Sequence, residues 1–219
     1  MIREAIRKLA SEEDLSRDEA FQTMTEIMSG AASEAQISAF LMGMRLKGET
    51  IPEIAGCAQS MREQSTPIRS QSAEIIDTCG TGGDGSGTFN ISTSAAIIAS
   101  AAGAIVAKHG NRAVSSQSGS ADVLRALGIS LDISPERVSQ ILDEVGITFL
   151  FAPQLHAAMK FAAPVRRDMG IRTIFNILGP LTNPAGARRQ LLGVFSPSLT
   201  EVLAGVLREL GSPHALVVH

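Results

Sequence analysis

The stretch DTCGTGGDGSGTFNIST, residues 77–93, holds glycine at 80, 82, 83, 85 and 87, directly after an apolar EII and directly before an alanine-rich run. Glycine at that density lets backbone N–H groups approach an anion with no Cβ in the way, and it permits positive φ where a turn needs it. A phosphate or diphosphate is the natural guest. The helical pattern that follows adds its N-terminal dipole and open N–H groups, together with the hydroxyls of Ser92, Thr93 and Ser94. Asp84 stands inside the loop, where a carboxylate among phosphate-binding amides would repel the guest. A bound Mg²⁺ would reverse that sign by taking carboxylate or hydroxyl oxygens on one side and phosphate oxygens on the other. An ordinary Asp-Gly turn is the other reading of Asp84.

Two common phosphate motifs are excluded by the letters. GTGGDGSG lacks the Gly-Lys-Ser/Thr end of a P-loop. Gly80, Gly82 and Gly85 match a dinucleotide glycine string, but the next apolar run, AIVAKHGNR, ends basic rather than acidic. That run supplies a second cluster: Lys108, His109, Asn111 and Arg112, then Ser115, Ser116, Ser118 and Ser120 around Gly119. Two strand ends built for anions suggest a ligand with phosphate at two places. His109 reads equally as a strand-end histidine paired with backbone and as a substrate contact.

Elements that could position these groups follow from periodicity and punctuation. The first 65 residues read as four short helices: IREAIRKL, then segments opened by the capping boxes Ser16/Glu19, Ser33/Gln36 and Thr50/Glu53. Their Met and Phe positions read as core, and the methionines also allow an adaptable partner surface. Pro67 and RSQSAE mark a linker. Beyond it, strand candidates at 75–78, 104–107, 147–151, 191–195 and 215–218 alternate with helical patterns at 93–102, 120–127, 135–145 and 199–210. This alternation predicts an α/β layer fold with a mainly parallel sheet. Residues 154–186 break the rhythm, reading as two helical stretches without a strand, as if the chain returned to the N-terminal helices. The expected division is a helical domain of 1–67 joined by 154–186, and an α/β domain of 68–153 and 187–219.

Composition bounds the class. The 219 residues are 44% hydrophobic, with 19 Lys plus Arg against 22 Asp plus Glu and neither Trp nor Tyr. The acidic balance and lack of stacking aromatics argue against nucleic acid as a partner. No stretch approaches the roughly 18 apolar residues of a membrane span, no secretory leader is legible at MIREAIRKLASEED, and a cytoplasmic setting is expected. Two cysteines on different kinds of segment, Cys57 and Cys79, make a weak case for a disulfide.

Taken together, GTGGD, NIST, KHGNR, SSQSGSAD and APVRRDMGIRTIFNILGPLTNP resemble the anthranilate phosphoribosyltransferases, in order along the whole chain. The resemblance implies the nucleoside-phosphorylase-like phosphoribosyltransferase fold and a homodimer formed through the helical domain. It also implies transfer of the phosphoribosyl group of phosphoribosyl pyrophosphate to the amine of anthranilate, with Mg²⁺. Phosphoribosyl pyrophosphate would lie across Gly80, Gly83, Asp84, Thr88, Asn90, Ile91, Ser92 and Thr93. Lys108, His109, Gly110, Asn111, Arg112, Ser115, Ser116 and Ser120 would complete its cradle. Ser92 resembles the family's Mg²⁺ ligand. Anthranilate would meet Gly80, Asn111 and Arg166, whose guanidinium suits its carboxylate; His156 and Pro180 could line the entrance. No side chain is expected to act as nucleophile or general base. The family's pattern continues past HALVVH into a Gly-Leu-Asp-Glu stretch that binds a second metal. The resemblance therefore implies a shortened chain without that metal site, and a sheet with an unpaired edge or an uncovered apolar face. Two alternatives stand beside this reading: a pyrimidine nucleoside phosphorylase, whose Lys-His-Ser loop opening is missing here, and a noncatalytic phosphate-ligand-binding relative.

Overall fold

A computed structural model describes residues 1–83, 85, 87–113 and 118–219. Its helices and strands begin with α1 (Ile2–Ala10), α2 (Arg17–Met28), α3 (Glu34–Lys47) and α4 (Ile51–Glu63), followed by β1 (Ile75–Gly80) and α5 (Ile91–Ala101). Next come β2 (Ile105–Gly110), α6 (Ser120–Ala126), α7 (Pro135–Val145), β3 (Ile147–Phe151) and the single turn α8 (Ala152–Leu155). The last are α9 (Ala163–Met169), α10 (Phe175–Leu178), β4 (Arg189–Gly193), α11 (Leu199–Glu209) and β5 (His214–Val218). The chain divides into two compact units. One comprises Met1–Ser65, His156–Thr182 and Gly205–Leu210, the other Thr66–Leu155, Asn183–Ala204 and Gly211–His219.

In the helical unit the capping residues act as their spacing predicts. Ser16 Oγ accepts from Glu19 N–H at 3.2 Å while a Glu19 oxygen accepts from Ser16 N–H at 2.8 Å, and Ser33 and Gln36 repeat the exchange before α3. Glu53, which caps α4, is wholly buried. Its two oxygens accept from Leu15 N–H at 2.8 Å, Thr50 N–H at 2.8 Å and the Lys47 ammonium at 3.0 Å, so the charge is paired as a buried carboxylate must be. Helices α2 and α4 pack so closely that a Cβ on Gly56 would stand 2.2 Å from the Arg17 carbonyl oxygen. Met24, Ile27, Phe40, Leu41, Met44 and Ile54 form the buried centre. Residues 156–182 contribute no strand to this unit. Pro164, Gly170 and Pro180 cut the expected two stretches into short turns, two of them 3₁₀.

The second unit is a parallel five-stranded sheet in the order β3-β2-β1-β4-β5. Ile75, Ala107, Leu142, Leu150 and Leu155 lie in one of its apolar cores, and Ala121, Leu124, Leu131 and Phe151 in another. Ser134 and Pro135 open α7, and Gly146, at φ 81°, closes it in the left-handed region. The chain adds β2 and β3 on one side of β1 and then crosses to add β4 and β5 on the other. That reversal puts the topological switch point between β1 and β4, at whose carboxyl ends such sheets bind ligands. At the far edge, Leu216 is 58% and Val218 46% exposed, beside Leu191, the register partner of Leu216.

Candidate functional site

The glycine loop leaves β1 at the switch point. Gly80 stays in register with Gly193 of β4. Here the missing side chain answers a close approach, since a Cβ would sit 3.2 Å from the Gly193 carbonyl oxygen. Thr81 then ties the two strand ends: its N–H donates to Gly193 C=O at 2.9 Å and its hydroxyl accepts from Phe195 N–H at 2.9 Å. Beyond it the reason for glycine changes. Gly82, Gly83, Gly85 and Gly87 have φ of 65°, 73°, 70° and 65°, a region that L side chains resist. Left-handed residues are units from which anion-binding concavities of backbone N–H groups are built. Asp84 lies outside the described residues, and Thr88 is exposed on the loop.

Three segments converge beside this loop. Asn90 is the N-cap residue of α5, and Ile91, Ser92 and Thr93 form its first turn. Lys108, His109 and Gly110 end β2, with Asn111 and Arg112 exposed just beyond, and Ser120 opens α6. Lys108 is 3% exposed, and its ammonium donates to Thr78 C=O at 2.5 Å and to Ser92 Oγ at 3.1 Å. Thr78 Oγ1 in turn donates to Ser92 C=O at 2.8 Å. Across to α6, Thr93 Oγ1 donates to Ser120 Oγ at 2.9 Å and Asn90 Nδ2 donates to Ser118 C=O at 3.2 Å. The positive charge of Lys108 thus sits at the N-terminal turn of α5, where the helix dipole already favours an anion.

Between Ala113 and Ser118, Ser115 and Ser116 lie outside the described residues. The neck of that segment is described. One Asp122 carboxylate oxygen accepts from Ala113 N–H at 3.0 Å and from Gly119 N–H at 2.8 Å. These two hydrogen bonds hold the Asp122 carboxyl below the usual carboxylate range.

Beneath the loop lies a polar group that periodicity does not single out. Asp77, in the apolar run EIID, is 0% exposed. Its Oδ1 accepts from His109 N–H at 3.1 Å and its Oδ2 from Asn183 Nδ2 at 2.8 Å. Burial pushes this carboxyl up, against the pull of Lys108 and the two hydrogen bonds. Burial likewise pushes Lys108 down, against the attraction of Asp77. A charged residue in an otherwise apolar strand is the signal that could have found Asp77. Asn183 had no comparable local signal.

The remaining expected residues belong to the helical unit. Arg166 lies on α9, half-buried, with its guanidinium 5.1 Å from the centre of the Phe175 ring, and burial pulls its pKa down. Pro180 is buried in a 3₁₀ turn. His156 lines a small cavity with Met28, Met61 and Met159. Burial lowers its pKa from 6.5 to about 4, against a hydrogen bond to the backbone of Thr182. The folded chain therefore binds fewer protons here than the unfolded chain between those values, so this site costs stability as pH falls from about 6.5 to about 4. The full difference amounts to about 3 kcal/mol. His156→Gln is expected to show a smaller loss of stability than the parent between pH 7 and pH 4.5 in urea titrations. Identical losses in both would place the acid sensitivity elsewhere.

Cys57 and Cys79 are both thiols; Cys79 Sγ accepts from Gln190 Nε2 at 2.8 Å. Among the described residues no three His, Cys, Asp or Glu side chains gather as metal ligands, and no helix is long and apolar enough to cross a membrane. Ser92 Oγ fits Mg²⁺ as one oxygen among several, in the manner of sites completed by substrate phosphates.

Comparison with known proteins agrees with this geometry. The sequence model of the glycosyl transferase family a/b domain matches residues 72–219, and that of the family's helical bundle domain matches residues 3–65. The anthranilate phosphoribosyltransferase of Symbiobacterium thermophilum is 58% identical over 98% of this chain and 63% of its own length. That of Anaeromyxobacter dehalogenans is 60% identical over all of this chain and 65% of its own length. The crystal structure of the Thermus thermophilus anthranilate phosphoribosyltransferase superposes with a TM-score of 0.92 at 48% identity, over 95% of this chain and 63% of that one. The Saccharomyces cerevisiae enzyme in complex with PRPP and Mg superposes at 0.88 and 31% identity, over 97% and 64%. The chain thus spans a little under two thirds of the length of these relatives. With a helical bundle and a parallel α/β unit that each match their counterpart along the chain, this protein belongs to the glycosyl transferase family defined by those two domains.

Proposed function

We propose that this chain carries the phosphoribosyl-pyrophosphate site of an anthranilate phosphoribosyltransferase. The observation that carries the reading is the placement of the buried Lys108 ammonium against Ser92, at the N-terminal turn of α5 and beside the glycine loop. A cation, a helix N-terminus and a run of left-handed glycines, all at the ends of adjacent strands, make up an anion site for more than one phosphate. The names of the relatives support the same substrate. Gly80, Gly83, Thr88, Asn90, Ile91, Thr93, His109 to Arg112 and Ser120, with Asp84, Ser115 and Ser116, are the residues proposed to line it.

In this reaction the anthranilate amine attacks the anomeric carbon of the ribose while the bond to pyrophosphate breaks, with oxocarbenium-like charge developing on the sugar. The chain's residues hold the diphosphate, orient the sugar and keep Lys108 close to the charge that builds on the leaving group. Positioning of this kind is worth about 7–11 kcal/mol. Bound Mg²⁺, with Ser92 Oγ among its ligands, would further neutralise the leaving pyrophosphate. The amine's proton has an acceptor in anthranilate's own ortho carboxylate, so no protein base is required. Gly80, Asn111 and Arg166 are proposed to contact anthranilate. A homodimer through the helical unit is supported by Met42 and Leu46, neighbours on one exposed face of α3, with Leu46 79% exposed. A cytoplasmic setting suits the two thiols.

Calorimetric titration with phosphoribosyl pyrophosphate, with and without Mg²⁺, and the fluorescence of anthranilate as it is consumed test the reading. Mg²⁺-dependent binding is expected. Arg166→Ala is expected to weaken anthranilate about 10- to 100-fold, the worth of a charge-assisted hydrogen-bonded pair, and to leave phosphoribosyl pyrophosphate within about twofold. Equal losses for both ligands would sink the assignment of Arg166. Phosphorolysis of thymidine or uridine without anthranilate turnover would favour the nucleoside phosphorylase reading.

A further inference from the structure

The ladder between β1 and β2 is short. It pairs Ile75 with Ile105 and Ile76 with Val106, whereas β1–β4 pairing runs on to Gly80 and Gly193 and β2–β3 pairing to Gly110 and Phe151. The backbone direction along each strand identifies the groups left facing one another. Val106 N–H donates to Gly146 C=O, on the β3 side, so Ala107 and His109 point toward β1. Thr81 N–H donates to Gly193 C=O, on the β4 side, so Thr78 points toward β2. Three of these inward groups are met by a side chain instead of a strand. His109 N–H donates to Asp77 Oδ1, Ala107 C=O accepts from Asn183 Nδ2 at 2.8 Å, and Thr78 C=O accepts from Lys108 Nζ. Asn183 Nδ2 also donates to Asp77 Oδ2, and Asn183 Oδ1 accepts from Ala185 N–H at 2.9 Å, which fixes the amide's orientation. A wholly buried carboxylate in a strand is costly and persists where each oxygen is hydrogen-bonded, as both are here.

We infer that Asp77 and Asn183 are positioning residues: a polar wedge that holds the carboxyl-terminal halves of β1 and β2 apart and sets the gap between the glycine loop and the Lys108–Arg112 turn. Neither residue touches the ligand in this account. They act by setting the distance between the two strand ends that a diphosphate must bridge, and this rests on the phosphoribosyl-pyrophosphate reading given above. Without the wedge, these inward groups lose their partners, and the spacing of the two strand ends is no longer held.

The test uses the full chain, with pyrophosphate plus Mg²⁺ and phosphoribosyl pyrophosphate plus Mg²⁺ as probes. Asp77→Asn and Asn183→Ala are each expected to lower affinity at least 10-fold. The double variant should lose much less than the product of the two, as residues acting through one contact do. Leu142→Ala, in the core of the same unit, is the stability control: it should lower Tm comparably with affinity within twofold. A readout independent of ligand is hydrogen exchange at the His109 amide, expected to be slow in the parent and at least 10-fold faster in Asp77→Ala; if that variant does not fold, Asn183→Ala serves. A parent chain that binds neither probe overturns the functional reading and leaves the exchange measurement to decide the wedge. Unchanged affinity in both single variants of a binding parent, losses that Leu142→Ala reproduces at equal Tm, or an unchanged His109 exchange rate overturns the wedge.

Discussion

Lys108→Ala is expected to reduce Mg²⁺-dependent binding of phosphoribosyl pyrophosphate by more than about 100-fold, a loss of about 2.7 kcal/mol or more, and to lower Tm as well. Both effects follow from where the ammonium sits. It is buried, donates to Thr78 C=O and Ser92 Oγ, and opposes the burial-driven rise of the Asp77 pKa. Its removal takes a cation from the N-terminal turn of α5 and orphans a buried carbonyl, which costs about 1–3 kcal/mol. It also leaves the Asp77 carboxylate without its attracting charge. Two further variants separate binding from folding. Lys108→Met keeps the stem and packing and loses the charge with its two hydrogen bonds, so its Tm should fall less than that of the alanine variant while its affinity stays as low. Lys108→Arg keeps the charge, but a planar guanidinium does not fit a space shaped for a compact ammonium between two oxygens, and it should restore little. Binding by Lys108→Met within threefold of the parent would remove Lys108 from the site and leave it a purely internal cation.

Much of the fold was legible because local signals and tertiary packing agreed. The boxes at Ser16/Glu19 and Ser33/Gln36 and the Ser134-Pro135 to Gly146 punctuation mark helix ends that the structure keeps. Disagreement clusters where chain ends meet the site. Apolar runs put the end of the first strand at Thr78 and of the second at Ala107, yet β1 and β2 reach Gly80 and Gly110. Polar Lys108 and His109 do not end the strand because their surroundings are polar: the ammonium finds Thr78 and Ser92, and the His109 N–H finds Asp77. The density of glycine in the loop was plain from composition, but the division of labour within it was not. Gly80 answers close approach to Gly193, which lies more than a hundred residues away in sequence, whereas Gly82 answers positive φ. The Asp77–Asn183 contact was hidden for the same reason, its partners being 106 positions apart. The helical unit also takes in Gly205–Leu210, through contacts such as Gly205 against Ile51, which periodicity within 199–210 does not announce.

Gly119→Ala should abolish measurable binding of phosphoribosyl pyrophosphate, a loss of at least about 100-fold, while leaving the helical unit untouched. The added methyl has no flexible neighbour to displace. A Cβ at Gly119 would stand 2.3 Å from Ala113 N, 2.6 Å from Arg112 C and 3.0 Å from Asn111 O, all backbone atoms. Its φ of −92° is ordinary, so the demand for glycine here is one of space alone. Relief requires the neck between Ala113 and Gly119 to open, which breaks the paired bonds to Asp122 and shifts Ser118 and Ser120 away from Asn90 and Thr93. Overpacking of this kind costs about 1–3 kcal/mol in stability, and the loss in affinity is larger because the residues that move are those proposed to face the ligand. Gly82→Ala is the informative contrast. A Cβ there meets nothing within 4 Å, so its penalty is the left-handed φ of 65° alone, about 1–2 kcal/mol. Calorimetric affinity and thermal denaturation of the two variants rank the effects directly. If Gly119→Ala binds as tightly as Gly82→Ala, the neck gripped by Asp122 has no part in shaping the phosphate site.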